Sequence, residues 1–163
     1  VLSVAADRLI LPDGRWFRCV TGRGGIVDDK CEGDGGTPRG CWPLRSVLFR
    51  PDRLTPPQCG LPVLPLFAWD GWCDAPDDAR YNCQVALPYP ASHERLWRTD
   101  ALYDVIVVLG YNDAPVVPGR GSAIFMHVAR PDHAPTEGCV ALALPDLLTV
   151  LETCGADEMV AIR

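Results

Sequence analysis

Proline and glycine interrupt this chain at such short intervals that mostly short, β-favouring runs fit between them. Gly22 to Gly40 holds seven Gly in nineteen residues and reads as a long loop or a broken strand with special backbone angles. It has no G-K-[ST] and no helical pattern behind it, so it does not read as a phosphate cradle. Thr55 to Pro65, with four Pro and one Gly, is too broken for a helix. Arg8 to Leu11 and Arg15 to Thr21 flank Pro12-Asp13-Gly14 and predict a hairpin. Trp42 to Arg50, Leu64 to Trp69 and Met159 to Ile162 also read as strands. Tyr103 to Leu109, almost wholly apolar from Val105 onward, predicts a central strand buried on both faces.

Two stretches read as helix. Pro145 to Cys154 has Pro in its first turn, Leu144, Leu147, Leu148 and Leu151 on one stripe, and Gly155 beyond its end. Ser92 to Trp97 has Ser92 as N-cap, with His93 on the surface of its first turn and Arg95 where a capping box needs Glu or Gln. Asp70 to Asn82 is polar and turn-rich, with Trp72 and Tyr81 expected to pin it to the core, and Leu87 to Pro90 is extended. The fold class is therefore mainly β, two sheets or a distorted barrel with one or two short helices, in a single domain spanning 1–163. With 48% hydrophobic residues the chain can bury a core of that size.

A formal charge of -6 and no basic cluster argue against a nucleic-acid partner, and no apolar run is long enough to span a membrane. Val1 is followed by no basic-then-apolar leader, although a start without Met is compatible with one removed. The eight Cys contain no C-x-x-C, which weighs against a zinc ribbon or a thioredoxin-like site. The closest pairs, Cys31 with Cys41 and Cys73 with Cys83, are the disulfide candidates, and buried free thiols are the reading for the others.

The chemistry concentrates between Gly119 and Leu144. Ala123 to Val128 is a β-favouring run carrying His127 near its end, and a second apolar run begins at Val140, just after Cys139. Pro131, Asp132, Pro135 and Gly138 break the segment between them, which sets His127 and Cys139 on neighbouring strand ends. A thiol needs a neighbour that takes its proton, so Cys139 reads as nucleophile and His127 as base. The N–H groups of Glu137, Gly138 and Cys139 are candidates for an oxyanion hole. Glu137 lies two positions before Cys139 and shares its face; its carboxylate either orients the imidazolium of His127 or pairs with Arg120 or Arg130. Tyr111, Asn112, Arg120 and Ser122, just before the His127 strand, are candidates for substrate binding. His127, His133 and Cys139 are all of metal-ligand type, but their six-residue spacing on a loop matches no metal motif, so neither metal nor cofactor is expected.

Two of these segments resemble the L,D-transpeptidase (YkuD) family. Thr136-Glu137-Gly138-Cys139 is similar to its S-H-G-C signature behind a strand-end His, and Thr37-Pro38-Arg39-Gly40-Cys41-Trp42-Pro43-Leu44 to its T-P-x-G-x-aromatic-x-aliphatic element. Glu137 replaces the signature His, and Ala141 stands where Arg or Asn usually follows the Cys. The resemblance implies a YkuD-like β-sandwich or distorted barrel, and a monomeric enzyme that crosslinks peptidoglycan stem peptides through a Cys139 acyl-enzyme. Such crosslinks are 3-3, between diaminopimelates, or 1-3, from the L-Ala carbonyl in a divergent branch. A hydrolase of the same fold and a non-catalytic peptidoglycan binder are the alternatives. The substrates imply a periplasmic location.

Overall fold

The computed structural model describes every residue from Val1 to Arg163. The first half of the chain forms β1 (Leu2–Ala5), β2 (Arg8–Ile10), β3 (Trp16–Val20), β4 (Ile26–Val27), β5 (Thr37–Pro38), β6 (Gly40–Phe49) and β7 (Val63–Pro65). Then follow β8 (Asp70–Cys73), β9 (Gln84–Ala86), β10 (His93–Arg95), β11 (Val105–Leu109), β12 (Phe125–Val128), β13 (Val140–Leu142), the helix α1 (Leu144–Glu152) and β14 (Met159–Ile162). β11, β12, β13, β3, β2, β1, β14 and β6 are hydrogen-bonded in that order, and β6 pairs back onto β11, so the sheet closes into a barrel. Closure removes the free edges that an open sheet would expose. The mainly β expectation is met, in its barrel form and with one helix.

The hairpin β2–β3 turns on Asp13, whose carboxylate accepts from Arg15 N at 2.9 Å, and on Gly14 with φ +87°. All five residues of β11 are buried, because both faces of this strand are covered. Val105, Val107 and Leu109 point into the main core with Met126, Val128, Val140 and Leu142, and α1 adds Leu147, Val150 and Leu151. Ile106 and Val108 point the other way, into a smaller cluster with Phe125, Trp72, Leu96 and Tyr103. That cluster carries a three-stranded sheet, β10-β8-β9.

Three expectations are corrected. Ser92 to Trp97 is not helical: β10 pairs antiparallel with β8, placing His93 opposite Cys73 and Glu94 opposite Trp72. A six-residue segment without a capping box gains little as an isolated helix, whereas the neighbouring strand supplies a ladder. His93 is consequently half-buried. The start of the turn-rich Asp70 to Asn82 stretch is itself the fully buried strand β8. All eight cysteines are free, including the two candidate pairs. Cys31 and Cys83 turn their thiols onto nearby carbonyls, Asp29 O and Tyr81 O, in place of a partner sulfur.

The glycine-rich segment has a packing role. A Cβ at Gly22 would stand 2.1 Å from Gly35 O and 2.9 Å from the Cα of Gly138, and one at Gly138 would stand 2.8 Å from Gly36 O. Backbone therefore lies directly on backbone beneath the Cys139 loop, which only glycine permits.

Candidate active site

β12 and β13 run parallel, with Met126 opposite Val140 and His127 opposite Ala141. Side chains alternate along strands, so while Met126, Val140 and Leu142 enter the main core, Phe125, His127, Cys139 and Ala141 share the opposite face. His127 and Cys139 both line a cavity of about 470 Å³ between this face and the β8–β10 sheet. The expected neighbouring strand ends are thus present, and the cavity opens over them.

His127 is 5% exposed, and its Nδ1 lies 2.9 Å from the carbonyl of Val128. A carbonyl only accepts, so Nδ1 carries the proton and Nε2 is left as an acceptor. The Cys139 thiol donates to the carbonyl of Ala123 at 3.2 Å and accepts from Phe125 N–H at 3.4 Å. Burial pushes this thiol up to about 12, with Glu94 adding to the effect and the Phe125 N–H and Lys30 opposing it. Burial also holds His127 down to about 4, against the pull of the Val128 carbonyl. At neutral pH the two resting groups are therefore a thiol and a neutral imidazole, each bonded to a backbone carbonyl.

The loop before Cys139 is tied to the glycine-rich segment. Thr136 N donates to Thr21 O at 3.0 Å, and Arg23 N to Thr136 O at 2.8 Å. The Thr136 hydroxyl donates to Cys139 O at 2.6 Å and accepts from Gly138 N at 3.1 Å. Gly138 N–H is thereby occupied within the loop, which leaves Glu137 N–H and Cys139 N–H of the three expected oxyanion donors. Gly138 has φ +135°, a conformation other residues rarely adopt.

Glu137 does not reach His127. Its carboxylate is paired with Arg23 at 2.8 Å on the exposed side of the loop, since the Arg23 segment is bonded alongside it. It pairs with neither Arg120 nor Arg130. Of the predicted substrate-binding residues, Ser122 lines the main cavity and donates to Glu32 at 2.8 Å. Tyr111, Asn112 and Arg120 line an adjoining groove of about 340 Å³, which shares Lys30 with the cavity. Asn112 mainly braces its own loop, donating to Val117 O at 3.0 Å and Gly121 O at 2.9 Å. His133 lies outside the cavity, so His127, His133 and Cys139 do not assemble as a ligand set.

Sequence reasoning missed Tyr103, Glu94 and Asn82. The Tyr103 ring stands edge-on to the His127 ring, centroids 5.2 Å apart, and its hydroxyl donates to Glu94 at 2.5 Å. Burial raises the Glu94 carboxyl, against the Tyr103 hydrogen bond. Asn82 donates to Tyr111 O and Asn112 O and accepts from Trp72 Nε1 and Ala123 N, all within 3.0 Å. All four of its hydrogen-bonding positions are filled, and it fixes the residue whose carbonyl holds the Cys139 thiol. Nothing local in the sequence marks these residues, because they come from segments that only the barrel and its cover sheet bring together.

An imidazole on β12 and a thiol at the entry to the parallel strand β13, floored by a closed barrel and roofed by a small sheet, define a cysteine-lined cavity. Compared with known families, residues 2–162 match the YkuD model, described as the L,D-transpeptidase catalytic domain. The chain belongs to this family, whose members act on peptidoglycan. No curated protein and no solved structure matches the chain. No helix is long and apolar enough to cross a membrane.

Proposed function

We propose that this chain is a cysteine-dependent L,D-transpeptidase, a monomeric single domain acting in the periplasm, that crosslinks peptidoglycan stem peptides through an acyl-enzyme on Cys139. The observation that carries this reading is that His127 on β12 and Cys139, immediately before the parallel strand β13, line the same cavity.

In the first half-reaction the thiol turns from Ala123 O toward His127 Nε2, which takes its proton as Sγ attacks the donor carbonyl. The tetrahedral oxyanion is met by Cys139 N–H. Collapse forms the thioester and expels an amine, which takes the proton from Nε2. In the second half-reaction the amine of a neighbouring stem attacks the thioester and gives its proton to Nε2. Cys139 leaves as thiolate and recovers that proton. The Val128 carbonyl fixes the ring and stabilises the transient imidazolium, the role sequence reasoning gave to Glu137. Glu137, bound to Arg23, is a loop anchor in this scheme.

Incubation with purified sacculi followed by muropeptide analysis tests the proposal. New 1-3 or 3-3 crosslinked dimers that disappear with Cys139→Ala support it, and the dimer's mass fragments identify the bond. Release of shortened stems without dimers indicates the hydrolase. Unchanged sacculi overturn the enzyme reading.

A further inference from the structure

Cys59 and Cys154 are distant in the chain and side by side in the fold. Cys59 lies in the proline-rich connection between β6 and β7, and Cys154 follows the last turn of α1. Gly60 N donates to Cys154 O at 2.8 Å, so the peptide group after Cys59 is bonded to the peptide group after Cys154. Both peptides are trans, and in a trans peptide the N–H points to the same side as the Cα of the preceding residue. Standard bond lengths then leave no more than about 6 to 7 Å between the Cα atoms of Cys59 and Cys154. Disulfide-bonded cysteines span about 4.4 to 6.8 Å between the same atoms. Gly60 permits this approach, since a Cβ there would stand 2.9 Å from Gly155 Cα and 3.0 Å from Cys154 O.

The two side chains also meet the same apolar cluster. Cys154, 4% exposed, belongs to the main core, and the half-buried Cys59 packs against that core. Burial, then the charges of Glu158 and of a Cys59 thiolate, push the Cys154 thiol up to about 12. Only weak bonds hold the thiols where they are: Cys59 Sγ donates to Leu61 O at 3.7 Å and Cys154 Sγ to Val150 O at 3.4 Å. Val150 O keeps two other donors, Thr153 N and the Thr153 hydroxyl, when the sulfur leaves it. Cys139 packs in the other, smaller cluster and is not part of this contact.

We propose that Cys59 and Cys154 are a disulfide-forming pair that staples the β6–β7 connection to the end of α1 in an oxidising compartment. This goes beyond acyl transfer, and its test does not depend on it. Cys59, the more exposed of the two, attacks as thiolate one sulfur of a disulfide oxidant and releases the other sulfur as a thiolate. Cys154 then gives up its proton and attacks the Cys59 sulfur of this mixed disulfide, which forms the new S–S bond and expels the second thiolate. Two electrons and two protons pass to the oxidant, which ends as two thiols. The bond closes a loop of more than half the chain, from β7 to α1, and restrains the unfolded state accordingly.

Oxidation of the reduced full chain in a buffer of glutathione and glutathione disulfide, followed by alkylation, digestion and mass spectrometry, tests the pair. The expected product is a peptide pair joined through Cys59 and Cys154, absent from Cys59→Ala. The oxidised wild type should melt about 5 °C or more above Cys59→Ala in the same buffer, and most of this gap should close when dithiothreitol is added. Alkylation of both thiols, linkage of either to a different cysteine, or a linked pair without a melting gain overturns the staple. Far-UV circular dichroism shows whether Cys59→Ala folds. If it does not, the wild type melted with and without dithiothreitol decides by the same gap.

Discussion

His127 is held neutral by burial, and this has a measurable consequence for stability. Its folded value of about 4 lies below the ordinary 6.5, so its contribution is present above pH 6.5 and is lost as pH falls through 6.5 toward 4. The difference corresponds to something on the order of 3 kcal/mol. Urea unfolding of the wild type and His127→Gln at about pH 7 and about pH 4.5 should show the wild type losing more stability on acidification. Parallel losses in the two proteins would mean that the imidazole is hydrated. Glu137 gives the opposite expectation. Its side chain is 76% exposed and its partner Arg23 58% exposed, so Glu137→Gln should change stability by less than about 1 kcal/mol. A crosslinking rate near wild type fits a loop anchor, and a loss of about a thousandfold would restore Glu137 to the catalytic group.

At the scale of elements, two parallel strands and a glycine-lined underside set the geometry of the proposed site. Gly138→Ala puts a methyl group against Gly36 O and forces a side chain into φ +135°. About 1 to 3 kcal/mol of destabilisation is expected, with a larger loss of crosslinking rate because Cys139 is the next residue. Thermal melts and muropeptide rates check both, and a fully active Gly138→Ala would show that the loop is not held by that contact. The same scale explains what the sequence revealed. β11 was legible because burial on both faces leaves a continuous apolar run, and β2–β3 because Pro12-Asp13-Gly14 carries turn chemistry. β10 was not, since Ser92 to Trp97 becomes a strand only through its partner, and that partner begins with the turn-like Asp70-Gly71. That Cys139 and His127 come to line one cavity could be expected because one short segment carries both. Glu94, Asp74 and Tyr103 reach the cavity from elsewhere in the chain, and no local spacing encodes that.

The whole molecule is a closed barrel with one extra covered face, and that face is where chemistry is possible. The barrel interior is packed with aliphatic side chains, while the outer face of β12 carries Phe125 and His127, with Cys139 beside them at the entry to β13, beneath a separate small sheet. Phe125, fully buried, stands edge-on to Trp72 and Tyr103, at 5.0 Å and 6.1 Å between centroids, and joins floor to roof. The barrel floors the cavity and the cover sheet roofs it with acidic side chains, Glu94 on β10 and Asp74 just after β8. In the proposed reaction the Sγ of Cys139 is the atom that becomes acylated. Intact-protein mass spectrometry after incubation with a carbapenem, followed by peptide mapping, measures this directly. One drug adduct is expected on Cys139, absent from Cys139→Ala and formed more slowly by His127→Gln. An unmodified wild type, or an adduct that persists in Cys139→Ala, would contradict it.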